Sequence, residues 1–131
     1  MQISEAEAMV MEVLWKKSPM GADEVVIALS EHTDWAEPTV KTLLNRLLNK
    51  GAIQAEKDGR RFLYSPVLIR EAWVGQQSEG MLERLFGGRV APLVAHFSER
   101  GKLSAADIAE LKRLIAEMDE TPQGKGGGDG R

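Results

Sequence analysis

The sequence predicts a mainly α protein with one small β-hairpin, a winged helix-turn-helix followed by a helical region. Three observations predict it. Apolar residues recur at helical spacing three times before residue 50, Asp58-Gly59 sits between two short strand-like segments, and the chain's excess positive charge falls on the third helix and that hairpin. The expected divisions are a winged-helix domain over 1–66, a helical dimerisation region over 67–120, and a Gly-rich, disordered tail over 121–131.

Ser4 and Glu7 have the spacing of a capping box, and Ala6, Met9, Val10, Val13 and Leu14 follow on one face, so a helix is expected over about 4–17. Ser18-Pro19-Met20-Gly21 stops it. Ala22, Val25, Val26 and Leu29 mark a second helix from about 22 to 32. Pro38 opens a third, where its missing N–H costs nothing, and Val40, Leu43, Leu44, Leu47 and Leu48 form its apolar stripe up to Gly51. Residues 53–57 and 61–65 flank Asp58-Gly59 as a hairpin, and Pro66 closes it. Beyond it, helices are expected over about 67–86 (Ile69, Trp73, Leu82, Leu85), around 90–98, and after the capping-type spacing Ser104 to Asp107 (Ile108, Leu111, Ile115, Met118).

Composition narrows the function. With 131 residues and no cysteine, disulfides, thiolate metal sites and cysteine nucleophiles are excluded. Only two histidines, His32 and His96, are present, and aromatics make up 5%, so a multi-His metal site is poorly supported and no cofactor is expected. No phosphate-loop, zincin or nucleophile-elbow motif occurs, and the chain is not expected to be an enzyme; a hydrolase using His96 with Ser98 or Asp107 lacks a recognisable nucleophile geometry. No apolar run nears the roughly 18–20 residues of a membrane span, and the acidic start does not read as a signal peptide, so a cytoplasmic protein is expected.

The net charge of −3 hides an asymmetry: residues 1–34 carry −5, residues 35–66 carry +3, and the remainder −1. On the third helix, 100° per residue puts Thr42, Asn45, Arg46 and Asn49 opposite the leucines, with Thr39 and Lys41 at the flanks and no carboxylate from Pro38 to Lys50. Base edges and phosphates call for this mixture of amides, hydroxyls, a methyl and cations. The hairpin adds Lys57, Arg60, Arg61 and Tyr64, which could reach a backbone or minor groove. Trp15, Trp35, Phe62 and Trp73 read as core or interface anchors. A solvated helix face and a hairpin charged against edge aggregation are the plainer readings; their adjacency favours DNA.

These residues resemble the penicillinase and methicillin-resistance repressors of bacteria, from Ile3 to about Glu120. The resemblance rests on AEAMVMEVLW (6–15), TVKTLLNRLLNKG (39–51), DGRRFLYSP (58–66) and, more weakly, LSAADIAELKRLI (103–115). It implies a homodimeric repressor of a pseudo-palindromic operator in duplex DNA, with Thr39, Lys41, Thr42 and Arg46 on the recognition helix and Arg60 and Arg61 on the wing. It also implies dimerisation through the C-terminal helices and control of a β-lactam-resistance or related stress operon. Antibiotic-responsive members are cut at an Asn-Phe bond by a membrane sensor metalloprotease system. Here the stretch reads Ala95-His96-Phe97-Ser98, so His96 replaces the Asn at the expected inactivation site. The absence of cysteine excludes the metal-sensing mode of copper-responsive relatives. The alternative is a winged-helix adaptor whose basic face docks an acidic protein, separable by the steep salt dependence that phosphate contacts impose.

Overall fold

The computed structural model describes residues 1–120; the tail expected to be disordered lies outside them. The order is α1 (Glu5–Lys16), α2 (Ala22–Leu29), α3 (Glu37–Lys50), β1 (Ile53–Asp58), β2 (Arg61–Pro66), α4 (Arg70–Phe86), α5 (Val90–Glu99) and α6 (Ala105–Glu120). The mainly α winged-helix class is therefore the observed one. Two compact units divide the chain, Met1–Gln77 and a second beginning at Ser78.

In the first unit the periodic residues make the core. Val10 and Leu14 of α1, Val25 and Leu29 of α2, and Val40, Leu43, Leu44 and Leu47 of α3 are buried together with Ala52, Ile53 and Tyr64. Met11, off the stripe read from the sequence, is fully buried as well. Each such side chain contributes about 1.5–3 kcal/mol by leaving water. β1 and β2 pair antiparallel from Ile53↔Pro66 to Asp58↔Arg61, with Gly59 at φ 66° in the turn. Met20 adds a bridge on the other edge of β2, donating to the Tyr64 carbonyl (3.1 Å) and accepting from the Tyr64 N–H (2.7 Å). The wing is thus clamped to the α1–α2 connection.

Two helices differ from their expected spans for local reasons. α2 ends at Leu29, where the Leu29 carbonyl accepts from His32 N and Thr33 N, both at 2.9 Å, instead of continuing a helix to 32. α4 begins at Arg70, because Val67 N and Leu68 N donate to the Ala52 carbonyl at 2.8 and 2.9 Å and tie the preceding residues to β1. The first turns of α4 then pack on α1. Trp15 Nε1 donates to Leu68 O (2.8 Å), Arg70 grips the Glu12 carboxylate (3.0 and 3.3 Å), and the Trp15 and Trp73 rings lie 5.7 Å apart. Trp73, read as a core or interface anchor, lies in the first unit, which extends past Pro66 to Gln77, and its ring packs on Trp15.

In the second unit, α6 starts with a reciprocal cap: Ser104 N donates to Asp107 Oδ2 (3.2 Å) and Asp107 N to Ser104 Oγ (3.0 Å). His96 stands between Phe86 (6.0 Å) and Phe97 (5.4 Å). Neither α5 nor α6 contains a buried residue.

Among the described residues one charged side chain is buried. Glu7 is 2% exposed; it completes the capping box with Ser4 (2.9 and 3.1 Å) and pairs with Lys50 Nζ at 2.6 Å, which also donates to Gln2 O at 2.7 Å. Burial pushes the Glu7 carboxyl up, but the Lys50 hydrogen bond, the Ser4 backbone and the Lys50 charge together hold it below its ordinary 4.5. A carboxylate with a lowered folded pKa stabilises above its unfolded pKa, and that stability is lost as pH falls through the folded value. Urea unfolding from pH 7 to 3 should therefore show Glu7→Gln losing less stability on acidification than the wild type, and equal losses would refute the linkage. Lys50→Met should cost about 2–3 kcal/mol at pH 7, less than for a fully buried pair because the lysine keeps some solvent contact.

Candidate nucleic-acid interface

α3 owes its orientation to the leucines beneath it and to Lys50 at its end. Pro38 stands in its first turn, and Gly51 caps it at φ 78°, a left-handed conformation that a side chain would strain. With Val40, Leu43, Leu44 and Leu47 buried, Thr39, Lys41, Thr42, Asn45, Arg46 and Asn49 are all exposed, as the helical period requires.

Their states differ. The side chains of Thr39, Asn45, Arg46 and Asn49 make no hydrogen bond or ion pair among the described residues, so their donors and acceptors are available. Thr42 donates its hydroxyl to Pro38 O at 3.0 Å, which leaves an acceptor oxygen and a methyl for an outside group. Lys41 pairs with Glu37 at 3.4 Å across one turn. Glu37 is itself the first residue of α3, so the helix carries one carboxylate that the reading from Pro38 onward did not include.

The wing arginines are not equivalent. Arg60 is exposed and makes no ion pair among the described residues, and the same holds for Lys57. Arg61 reaches Asp23 (3.6 Å) and Glu24 (3.4 Å) at the start of α2, and Glu24 also accepts from Gly21 N at 2.8 Å. Tyr64 is only 8% exposed and sits in the core. Its expected place on the interface is cut back: it packs with the core leucines, and what little remains exposed lines a hollow beneath the wing. Phe62, read as a core or interface anchor, is 47% exposed. Two residues before Tyr64 on the same strand face, it overhangs the helices where Tyr64 packs between them.

The surface therefore joins a helix face of free amides, hydroxyls and a free arginine to a hairpin with two free cations. Among the described residues no group of His, Cys, Asp or Glu could hold a metal ion, and no helix is long and apolar enough to cross a membrane.

Comparison with known proteins gives a consistent picture. A family model described as penicillinase repressor matches residues 3–117. The penicillinase repressor of Bacillus licheniformis is 37% identical over 116 residues, covering 88% of this chain and 91% of its own. The methicillin resistance regulatory protein MecI of Staphylococcus aureus (strain N315) is 30% identical over 114 residues, with 87% and 93% covered. Among solved structures, the oxidized form of MarR from E. coli has a TM-score of 0.50 at 20% identity, over 89% of this chain and 76% of that one. At that identity the likeness concerns the fold alone.

Arg46 is the free cation on the helix face among the described residues, and its side chain stands clear of the core. Arg46→Ala should weaken binding to a specific duplex by about 1–3 kcal/mol at matched salt. Fluorescence anisotropy on a labelled duplex measures it, and unchanged affinity would show that this face does not read DNA.

Proposed function

The chain belongs to the penicillinase repressor family, and from that premise we propose that it represses transcription by occupying a pseudo-palindromic operator as a homodimer. The observation that carries the reading is the outward face of α3, where Thr39, Asn45, Arg46 and Asn49 stand free above a fully buried leucine stripe. α3 enters the major groove, the wing follows the adjacent backbone, and bound protein excludes polymerase. The names of the relatives point to a β-lactam-resistance or related stress operon. A cytoplasmic location follows from the work.

The homodimer is supported by the second unit. Leu85, Val90, Ile108 and Ile115 are 66%, 58%, 42% and 56% exposed there, and α5 and α6 bury no residue. So much apolar surface on short helices calls for a covering partner, and a second copy supplies it in a self-complementary interface. Leu82, Leu111 and Met118 extend the same faces. Dimerisation raises the effective concentration of the second reader and supplies most of the operator affinity.

Release follows from the same division. The His96–Phe97 bond lies within α5, and both side chains are exposed; cutting it severs the dimerisation helices and leaves the winged helix whole. A membrane sensor metalloprotease system is the proposed upstream partner, with His96 altering the residue it meets.

Selection of duplexes from a random pool by the full-length protein, followed by titration over a salt series, tests the reading. A steep negative slope with a two-fold symmetric consensus is expected; a shallow slope and no consensus would favour the adaptor reading. For assembly, sedimentation should find the full chain dimeric and a 1–77 fragment monomeric. The fragment should bind the selected duplex about a hundredfold or more weakly. A dimeric fragment, or one of full affinity, overturns the homodimer proposal.

A further inference from the structure

Between the wing and the first turns of α2 and α3 lies a hollow of about 470 Å³, a size common among ligand sites, whose lining includes Asp23, Glu37, Lys41, Arg60, Arg61 and Phe62. Its charges are ordered. Arg61 is held by Asp23 at 3.6 Å and by Glu24 at 3.4 Å, Lys41 leans on Glu37 at 3.4 Å, and Arg60 has no carboxylate partner among the described residues. Of the three cations in the lining, Lys41 and Arg61 have carboxylate partners and Arg60 alone is unpaired among the described residues. Phe62 presents a half-exposed ring on the same wall, opposite Lys57 in the strand register. An apolar ring among cations suits a ligand that is itself part apolar ring and part anion.

We propose that this hollow seats one sugar–phosphate unit of the duplex backbone, with the phosphate between Arg60 and Lys41 and the deoxyribose against Phe62. The proposal rests on the DNA-binding reading above and assigns it a place. One unpaired cation, Arg60, matches one phosphodiester, and the carboxylates of Asp23 and Glu37 repel a second, so the hollow fixes the register of the strand as well as binding it. The Lys41–Glu37 pair is exposed and spans a single helical turn, an arrangement weak enough for the lysine to turn to a phosphate. Arg61 is engaged by two carboxylates at once, where Lys41 has one. It is a positioning residue, setting the wing against α2 so that Arg60 and Phe62 face the start of α3.

The test uses the full-length chain and a duplex recovered by selection, titrated over a salt series. Arg60→Ala should reduce the slope of log affinity against log salt by about one unit. Arg61→Leu should lower affinity severalfold with the slope unchanged, which separates a positioning role from a phosphate contact. Phe62→Ala should cost about fivefold to tenfold in affinity, again with the slope unchanged, and Phe62→Leu should recover most of it. Replacing single phosphates by neutral methylphosphonates should reveal one position per half-site that matters to the wild type and not to Arg60→Ala. A wild-type chain that binds no duplex overturns the repressor reading and this proposal with it. Wild-type binding with Phe62→Ala within twofold, with Arg61→Leu flattening the slope as Arg60→Ala does, or with no such phosphate position, overturns the hollow alone.

Discussion

The placement of α3 depends on the Glu7 carboxylate. It is the one charged side chain buried among the described residues, and an ion taken out of water is tolerated only when its partners are fixed. Ser4 and Lys50 are those partners, so the first turn of α1 and the last turn of α3 meet at one carboxylate. The leucines give α3 its rotation and its apolar contact, but apolar contact alone permits sliding along the helix axis. The short Lys50–Glu7 bond fixes that coordinate. A recognition surface needs side chains held within about half an ångström of their working positions, and here the support comes from a residue that touches no ligand.

The same pairing divides the cations of the basic segment by task. Lys50 is spent inside the fold and Arg61 on α2, whereas Arg46, Lys57 and Arg60 are left to meet an outside anion. The local excess of +3 read from residues 35–66 therefore overstates the charge available to a phosphate backbone, since two of its cations are paired with carboxylates outside that segment. In a chain with a net charge of −3 this restraint has a use. Phosphate attraction is indifferent to sequence, so a small number of well-placed free cations favours base readout over retention on any duplex.

Most of the fold was legible because its signals are local. The α3 stripe and the Gly51 stop depend on neighbouring residues and stand where the sequence reading put them. α3 starts at Glu37, one residue before Pro38, and the hairpin turns at Gly59-Arg60, one residue after the expected Asp58-Gly59. The exposed face of α3 followed from period alone. The wing was read less well, because its side chains are governed by contacts distant in sequence. Tyr64 was grouped with nearby cations, yet it packs with the core leucines. Strand alternation places Phe62, Tyr64 and Pro66 on one face, but not how far the helices extend beneath them. Arg61 looked like Arg60 until Asp23 and Glu24 came within reach through the fold. Trp73, on a helical stripe, packs on Trp15 through a contact that its own helix does not announce.

The two units are stabilised in different ways. The first closes a core of its own, including Met11, Leu14, Leu44 and Leu47 at full burial. The second has well-formed helix starts and stops but no buried residue on α5 or α6. Helical signals in sequence reveal that such helices form; they do not reveal whether anything covers them, because coverage is a property of neighbours. Local capping is worth only about 1 kcal/mol at each site, too little to order short helices that leave their apolar faces in water. In the homodimer proposed above, association and ordering of this unit are one event, and a linked pair of readers gains roughly 10²–10⁴ in avidity over a single one. On that proposal a break in the second unit removes the gain while the first unit keeps the core it closes by itself, so occupancy is abolished without destroying the outward face of α3.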